Sequence, residues 1–341
     1  MSKKILITGG TGYIGSHTAV ELIQKGYEVF IVDNFSNSHS SVLNGIQAIT
    51  NVEPHFEKLD LTQSNEVNHY FETHHDLDAV IHFAALKAVG ESVAKPLLYY
   101  KNNLVSLINI LENMLEFQIP HLVFSSSCTV YGEPDKLPIK ENAPIKPAIS
   151  PYGNTKQIAE EIIQETLHAN DFLKACILRY FNPIGAHPSG LIGELPIGIP
   201  NNLVPYITQT AAGIRDVLRV YGDDYDTADG TCIRDYIHVV DLAKAHIVAL
   251  ERLINEKYES NVEIFNIGTG QGSSVLEVIQ TFEKVNQVKL NYIVDERRQG
   301  DVEKIWADPT KANKILNWEA ELTLEDALRD AWNWEKKYRG I

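Results

Sequence analysis

Short apolar runs alternate with longer helical patterns through the first half of the chain. The helical patterns span residues 13–25, 96–115 and 151–169, and proline opens the last two, as it favours a first turn. The strand-like apolar runs lie at residues 5–7, 28–33, 55–60, 79–83, 122–125 and 175–179. This alternation predicts βαβ units that form a doubly wound parallel sheet, an α/β fold of the Rossmann type.

The pattern changes after residue 180, where several prolines and glycines between residues 181 and 205 indicate loops and a domain junction. A strand followed by a helix is predicted within residues 234–250, and one more strand at residues 262–268. We therefore expect a first domain of residues 1–180 with a return segment, 237–268. A second, smaller α+β domain that binds the substrate is expected from residues 181–236 and 269–341.

Charge and composition narrow the classes of partner and compartment. The 341 residues carry 45 Asp and Glu against 30 Lys and Arg, a net charge of −15, which disfavours nucleic-acid binding. No apolar stretch approaches the 18 or so residues of a membrane span, and the N-terminal apolar run is too short for a signal peptide. The three cysteines have neither metal-binding nor redox spacing. We expect a cytoplasmic protein without a metal site or a membrane partner.

A glycine-rich segment joins the first predicted strand to the first predicted helix. Residues 8–15 read TGGTGYIG, with Gly9, Gly12 and Gly15 around the turn and Tyr13 and Ile14 opening the helix. Glycines at such a turn let the backbone approach a pyrophosphate, which the positive end of the helix attracts. The segment predicts a dinucleotide site in this strand–turn–helix context.

Residues at the ends of the following strands predict which dinucleotide is bound. Asp33 ends the second strand, where a carboxylate accepts hydrogen bonds from ribose hydroxyls and repels a 2′-phosphate, so NAD is favoured over NADP. Asp60 can meet the adenine or cap a helix, and both interpretations stay open. Lys87 is expected to reach a ribose or a phosphate. The other residues predicted to bind the cofactor are Asn34, Leu61, Phe83, Ala84, Ala85, Asn102, Ser125 and Tyr180, together with the catalytic Tyr152 and Lys156.

Three residues form the predicted catalytic group. Tyr152 and Lys156 are four positions apart in a predicted helix and therefore share a face, and Ser127 follows the end of the fifth strand. Tyrosine has a reference pKa of about 10, so it becomes a base near neutral pH only if nearby positive charge lowers that pKa. We expect Lys156 and the nicotinamide to provide this charge, and Ser127 to hold the substrate hydroxyl.

These motifs together resemble the extended short-chain dehydrogenase family. Within it, four tracts resemble UDP-galactose 4-epimerases, and the likeness covers essentially the whole chain: residues 81–92, 178–187, 198–203 and 234–238. The resemblance implies tightly bound NAD, a UDP-sugar substrate and a homodimer formed through the two long helices. It also implies that UDP-glucose and UDP-galactose are interconverted through a 4-keto sugar. The residues that it assigns to the substrate are Lys87, Ser127, Phe181, Asn182, Asn202, Leu203, Tyr221, Arg234, Arg298, Asp301 and Ile305.

The same residues bear on other activities of this fold. Dehydratases of the family carry an Asp-Glu pair, and decarboxylases a glutamate, where this chain has Cys128 and Thr129, so both are disfavoured. A non-catalytic NAD sensor is disfavoured by the intact Tyr152 and Lys156. Activity on N-acetylated UDP-hexoses stays open, because Ile305 stands where a bulky tyrosine narrows the sugar pocket in some of the resembling enzymes. Arg298 can also be read as part of a solvated charged run.

Overall fold

A seven-stranded parallel sheet forms the centre of the computed structural model, which describes residues 2–298 and 301–341. Its strands follow the order β11-β6-β5-β4-β1-β2-β3. They are β1 (Lys4–Thr8), β2 (Glu28–Asp33), β3 (His55–Lys58), β4 (Ala79–His82), β5 (His121–Ser125), β6 (Lys174–Tyr180) and β11 (Val262–Ile267). The predicted doubly wound parallel sheet is confirmed. The order reverses between β1 and β4, where a crevice opens at the carboxyl ends of the strands.

Helices cover both faces of this sheet because side chains alternate along each strand. Ile5 and Ile7 of β1 point to one apolar core, and Leu6 between them points to the other. The helices are α1 (Tyr13–Gln24), α2 (Ser41–Thr50), α3 (Ser64–Thr73), α4 (Val89–Ala94), α5 (Pro96–Glu116), α6 (Pro151–Ala169) and α8 (Val239–Ile254). Helices α1 and α8 pack on the first face, and α3, α5 and α6 on the second.

In the described part of the chain, the remaining elements build three small sheets and a separate apolar core. The strands are β7 (Asn182–Ile184), β8 (Leu218–Tyr221), β9 (Ile233–Arg234), β10 (Tyr236–His238), β12 (Ser273–Ser274), β13 (Tyr292–Asp295) and β14 (Lys304–Ile305). Helices α7 (Leu203–Ala211), α9 (Val275–Asn286) and α10 (Leu324–Arg339) enclose this core, in which Phe282 meets Trp332 edge to face at 5.9 Å. The boundaries of the two expected domains stay a prediction.

Predicted and observed elements differ in a few bounds and in two helices that were not predicted. The second strand and the helix over Pro151–Ala169 have the predicted bounds, whereas the third strand ends at Lys58 rather than at residue 60. Helices α2 and α3 were not predicted from the sequence pattern. Helix α3 buries only Val67, Tyr70 and Phe71 of its ten residues. No helix in the described part of the chain is long and apolar enough to cross a membrane.

Candidate active site

A deep pocket lies in the crevice where the strand order of the large sheet reverses. Its floor consists of the residues that follow β1, β2, β3 and β4, and its other wall comes from α6 and from residues 193–205. Sixteen of the residues predicted to bind the cofactor line it: Gly9, Gly12, Tyr13, Ile14, Gly15, Asp33, Asn34, Asp60, Leu61, Phe83, Ala84, Ala85, Lys87, Asn102, Lys156 and Tyr180. Tyr152, also predicted to bind the cofactor, lines it too, which makes seventeen.

The glycine turn fits so closely that side chains are excluded at two positions. Gly9 has φ +67°, and a Cβ there would lie 2.8 Å from the amide nitrogen of Ala84. A Cβ on Gly15 would lie 2.4 Å from the Gly9 carbonyl oxygen. Gly12 is the N-cap residue of α1, so the first amides of that helix adjoin the pocket. An anion in the pocket would meet the positive end of the helix.

Asp33 connects the glycine turn to the loop that follows β2. Its Oδ2 accepts a hydrogen bond from the Thr11 amide at 3.2 Å, and its Oδ1 accepts one from the Phe35 amide at 2.9 Å. Asp60 accepts bonds from the Thr62 amide at 3.0 Å and the Thr62 hydroxyl at 2.8 Å, so it supports a local turn while also lining the pocket. The next helix, α3, begins at Ser64 with Gln63 as its N-cap residue, so Asp60 does not cap it, and contact with the adenine stays a prediction.

Lys87 makes a contact that the sequence did not predict. Its Nζ lies 3.3 Å from Oε1 of Glu194, and the same oxygen accepts a hydrogen bond from the Asn202 side chain at 2.6 Å. Asn103, also unpredicted, holds the backbone of Leu86 through two hydrogen bonds, of 2.8 and 3.0 Å. Glu194 and Asn103 fix the wall of the pocket through these contacts, and no sequence motif marks either residue.

Tyr152 and Lys156 are both buried and face the pocket from α6. Lys156 Nζ donates to the Ser125 carbonyl at 2.7 Å and stands 4.7 Å from the centre of the Phe124 ring. Burial lowers the pKa of Lys156 to about 8, while Glu160 acts to raise it. Burial raises the pKa of Tyr152 well above its ordinary value, and a hydrogen bond to Ser127 acts in the opposite direction. In this structure the environment of Tyr152 therefore favours the neutral phenol, contrary to the effect expected from Lys156.

The three serines that end β5 have different places. Ser125 lies outside the lining of the pocket and takes part through its carbonyl, which accepts the Lys156 hydrogen bond. Ser126 points away to Glu160, to which its hydroxyl donates at 2.5 Å. Ser127 caps a short 3₁₀ turn, Cys128–Tyr131, and accepts a hydrogen bond from the Thr129 amide at 3.3 Å. Of the three, Ser127 has the hydroxyl next to Tyr152.

The predicted arginines come together around one carboxylate. Asp301 Oδ1 lies 2.9 Å from Arg298 Nη2 and 3.7 Å from Arg234 Nη2. The Arg298 guanidinium stands 5.7 Å from the centre of the Tyr221 ring. Parallel pairing of β13 with β8 brings the chain before Arg298 to Tyr221, because Asp295 and Tyr221 are partners in the register. None of these four residues lines the pocket of the glycine turn, so they form a second group beside it.

A small apolar cluster lies next to Ser127 and Arg234. Phe181 and Ile305 are buried in it with Cys128, and Ile305 is the register partner of Arg234. Asn182 donates its amide to the Asp235 carbonyl at 2.9 Å. Asn202 lines the pocket, whereas Leu203 begins α7 and packs against the smaller apolar core.

Asp235 is a buried residue of this region that the sequence did not single out. Its carboxylate accepts hydrogen bonds from the amides of Thr269, Gly270 and Ala307 at 2.8, 3.2 and 3.1 Å. Burial raises its pKa, and these hydrogen bonds oppose the rise. Asp235 thereby joins the strand that carries Arg234 to the segment that carries Ile305.

Comparison with known proteins places the chain in a family. A family model described as GDP-mannose 4,6 dehydratase matches residues 6–331. A UDP-glucose 4-epimerase of Bacillus subtilis is 49% identical over 331 residues, covering 97% of this chain and 96% of that protein. One of Bos taurus is 49% identical over 343 residues, covering 99% and 97%.

Solved structures agree with the relatives. The UDP-glucose 4-epimerase of Bifidobacterium longum, in complex with NAD+ and UDP, superposes with a TM-score of 0.94 at 45% identity, covering 99% of each chain. That of Stenotrophomonas maltophila, with NAD and formylated UDP-arabinopyranose, gives a TM-score of 0.95 at 45% identity, covering 99% of this chain and 100% of that one. By the extent of these matches, the chain belongs to the UDP-glucose 4-epimerase family.

Proposed function

We propose that this chain interconverts UDP-glucose and UDP-galactose by oxidising the sugar at its 4-hydroxyl group and reducing the ketone from the opposite face. The observation that carries the proposal is the buried Tyr152–Lys156 pair, which opens onto the pocket of the glycine turn with Ser127 beside it. The resemblance to the epimerases of Bacillus subtilis and Bos taurus supports the same activity.

The residues of the pocket fit NAD as the cofactor. Gly9 and Gly15 leave backbone atoms where side chains would otherwise stand, which suits close approach of a pyrophosphate. Asp33 lines the pocket with its carboxylate at the end of β2, where it suits ribose hydroxyls and disfavours a 2′-phosphate. Asp60, Leu61 and Phe83–Lys87 supply the walls at the next strand ends. NAD, when bound, supplies a group that accepts a hydride and returns it.

Tyr152 is the proposed base that takes the proton of the 4-hydroxyl and later gives it back. Its burial raises its pKa, so the phenolate needs positive charge close by, and Lys156 on the same helix face supplies one such charge. Ser127 lies beside Tyr152 and is placed to hold the substrate hydroxyl with its own. Lys156 also fixes α6 to the end of β5 through the Ser125 carbonyl.

The second group of residues is proposed to hold the nucleoside diphosphate. Arg234 and Arg298 present guanidinium groups, which pair with phosphate oxygens, and Asp301 between them orients both. Tyr221, Asn202 and Leu203 are proposed to contact the uridine and the phosphates, with Phe181, Asn182 and Lys87 nearer the sugar. Firm anchoring of the diphosphate leaves the sugar free to present either face to the cofactor.

A dehydratase function is disfavoured by the residues beside Ser127. Dehydration needs an acid and a base where this chain has Cys128 and Thr129. Burial raises the pKa of the Cys128 thiol to about 12, so it stays protonated near neutral pH. The name of the matching family model therefore does not extend to a dehydratase activity of this chain.

The proposal includes a homodimer in the cytoplasm. Helices α5 and α6 pack side by side, and the start of α5 exposes apolar side chains that monomers seldom leave in a patch. Leu97 is 80% exposed, and Val93 just before the helix is 62% exposed. A second copy of the same pair of helices would cover them.

The purified protein tests the function directly. Incubated with UDP-galactose, it should produce UDP-glucose without added cofactor, and denaturation should release NAD. UDP-N-acetylgalactosamine and UDP-galacturonate, assayed in parallel, define the substrate range. A protein that releases NAD but converts none of the three sugars would contradict the proposal.

A further inference from the structure

A buried ion pair lies directly behind the catalytic residues. The Arg179 guanidinium donates to both carboxylate oxygens of Glu160. Its Nε lies 3.0 Å from Oε1 and 3.1 Å from Oε2, and its Nη2 lies 2.5 Å from Oε2. Only about 5% of either side chain is exposed. Such a pair is costly to bury and is weak evidence for stability alone, so another reason for its presence is worth seeking.

The pair contacts the chain on both sides of Ser127. Glu160 accepts a hydrogen bond from the Ser126 hydroxyl at 2.5 Å, on the residue before Ser127. Arg179 Nη1 donates to the Tyr131 hydroxyl at 3.0 Å, at the end of the 3₁₀ turn that Ser127 caps. The ion pair therefore fixes both ends of the segment that presents Ser127.

Glu160 also follows Lys156 by one turn of α6, so the two side chains lie on the same face of the helix. Lys156 is bonded to the backbone of Ser125, the neighbour of the serine that Glu160 holds. The two residues thus attach α6 to adjacent positions at the end of β5.

We propose that Glu160 is a positioning residue for the proposed epimerisation, which holds the Ser127 segment and keeps a negative charge facing the Lys156 ammonium. Arg179 fixes the orientation of this carboxylate, and its positive charge partly offsets the negative charge of the carboxylate. The inference rests on the proposed function, since it concerns the base and its lysine.

The electrostatic surroundings of Lys156 support this role. Burial lowers the pKa of Lys156 to about 8, and Glu160 is the group that opposes the fall. The other titratable groups around Lys156 and Tyr152 are Tyr99 from α5, His82 from β4, Tyr180 from β6 and Cys128, which follows Ser127. Because burial raises its pKa, the Cys128 thiol is neutral near pH 7. Burial lowers the pKa of His82 to about 3 and raises that of Tyr180 to about 12, so both are neutral near pH 7. Glu160 is thus the negative charge that this environment offers to Lys156.

The test is the alkaline side of the pH profile of turnover, measured on the holoenzyme. Glu160→Gln keeps an acceptor for Ser126 but leaves the Arg179 cation, so Lys156 should lose its proton at lower pH. Relative to wild type, the ratio of turnover at about pH 8.5 to that at about pH 6.5 should fall about sixfold, as lowering a pKa of about 8 by 1 implies between these pH values. A residue with a merely structural role would lower turnover equally at both pH values.

Arg179→Met breaks the same ion pair with the opposite charge effect. It leaves the Glu160 carboxylate facing Lys156. The alkaline limb, the pH range in which turnover falls as pH rises, should therefore lie at higher pH than in Glu160→Gln. If Glu160→Gln does not fold, the double variant Glu160→Gln/Arg179→Met replaces it, because it leaves no buried unpaired charge. Its limb should also lie below that of Arg179→Met.

A second buried ion pair provides the matched control. Arg252 of α8 holds Glu263 of β11 at 2.5 and 2.8 Å, with 10% and 8% of the side chains exposed, away from the pocket. Glu263→Gln should leave the pH profile as in wild type. Coinciding alkaline limbs for the variants of Glu160 and Arg179 would overturn the inference. A wild-type protein without epimerase activity would instead overturn the proposed function.

Discussion

Individual buried polar residues define the chemistry of the site. Burial shifts the pKa values of Tyr152 and Lys156 in opposite directions, and in each case towards the neutral form. The charged forms of Tyr152 and Lys156 therefore depend on each other and on the bound cofactor and substrate. This dependence suits a proton that is taken from and returned to the same substrate within one turnover.

The role of Tyr152 is tested by removing its ionisable oxygen. Tyr152→Phe should lower turnover by roughly 10²- to 10⁴-fold, the range typical for loss of a general base. NAD should stay bound, because the glycine turn and Asp33 are unchanged. Tyr70→Phe is the control, since Tyr70 is also buried but lies on α3 among apolar side chains. Turnover of Tyr152→Phe within a few-fold of wild type would exclude Tyr152 as the base.

Ile305 is expected to influence the size of the sugar that the site accepts. It is buried with Phe181 and Cys128, and its branched β-carbon restricts its rotation. We expect measurable but weaker activity on N-acetylated UDP-hexoses than on the plain hexoses. Ile305→Tyr should reduce the N-acetyl activity, and Ile305→Ala should increase it, as compared by kcat/KM on both substrates. An unchanged ratio in Ile305→Tyr would show that neighbouring residues set the size of the pocket.

Among the elements, β1, the glycine turn and α1 act as one unit that brings helix amides to the pocket. The turn is held from two sides, by Asp33 through the Thr11 amide and by the tight contact of Gly9 with the backbone of Ala84. At its far end the Tyr13 hydroxyl donates to the Gly185 carbonyl at 2.7 Å, which connects α1 to the chain beyond β7. The unit therefore makes contacts with residues both before and after residue 180.

The closeness of this turn predicts the effect of one added methyl group. Gly15→Ala would place a Cβ 2.4 Å from the Gly9 carbonyl oxygen, and backbone cannot rotate away as a side chain can. The free energy of unfolding should fall by about 1–3 kcal/mol, as in overpacked sites. Less NAD should be retained per chain after gel filtration. Gly90→Ala is the control, since a Cβ at Gly90 meets no heavy atom within 4 Å. Equal NAD content in both variants would refute the expectation.

At the scale of the whole molecule, folding brings residues that are far apart in the sequence into two groups, one around the pocket of the glycine turn and one around Asp301. Residues of the first 180 positions line the pocket of the glycine turn together with residues 193–205, and the second group, Tyr221, Arg234, Arg298 and Asp301, comes from further along the chain. The exposed apolar side chains at the start of α5, such as Leu97, lie on the surface of the α5–α6 pair. A second copy of the chain is proposed to pack there.

The proposed homodimer is tested by a charge at its expected centre. Leu97→Asp should dissociate the dimer, because an exposed apolar side chain that is buried by association becomes an unpaired carboxylate there. Sedimentation at several concentrations measures the change. Val52→Asp is the control, since Val52 is also exposed but follows α2 elsewhere on the surface. A monomeric wild type, or a dimer that survives in Leu97→Asp, would contradict the proposed interface.

Local patterns were sufficient to predict most of the large sheet and helix α6. Apolar runs and proline signals predicted the second strand and Pro151–Ala169 with their observed bounds, because these elements are governed by nearby residues. The polar helix α3 escaped, since three buried residues make too weak a periodic signal. The glycine turn, Asp33 and the Tyr152–Lys156 pair were also predictable, because their spacing follows from one strand, one turn and one helix.

Tertiary structure alone decided the partners of these residues. Glu194 meets Lys87 across more than a hundred positions, Asp235 joins three segments, and Arg179 reaches Glu160 from a neighbouring strand. The sequence also left open how strongly burial would raise the pKa of Tyr152. Long-range contacts and desolvation depend on how the elements pack against each other, and residue spacing along the chain carries no measure of that packing.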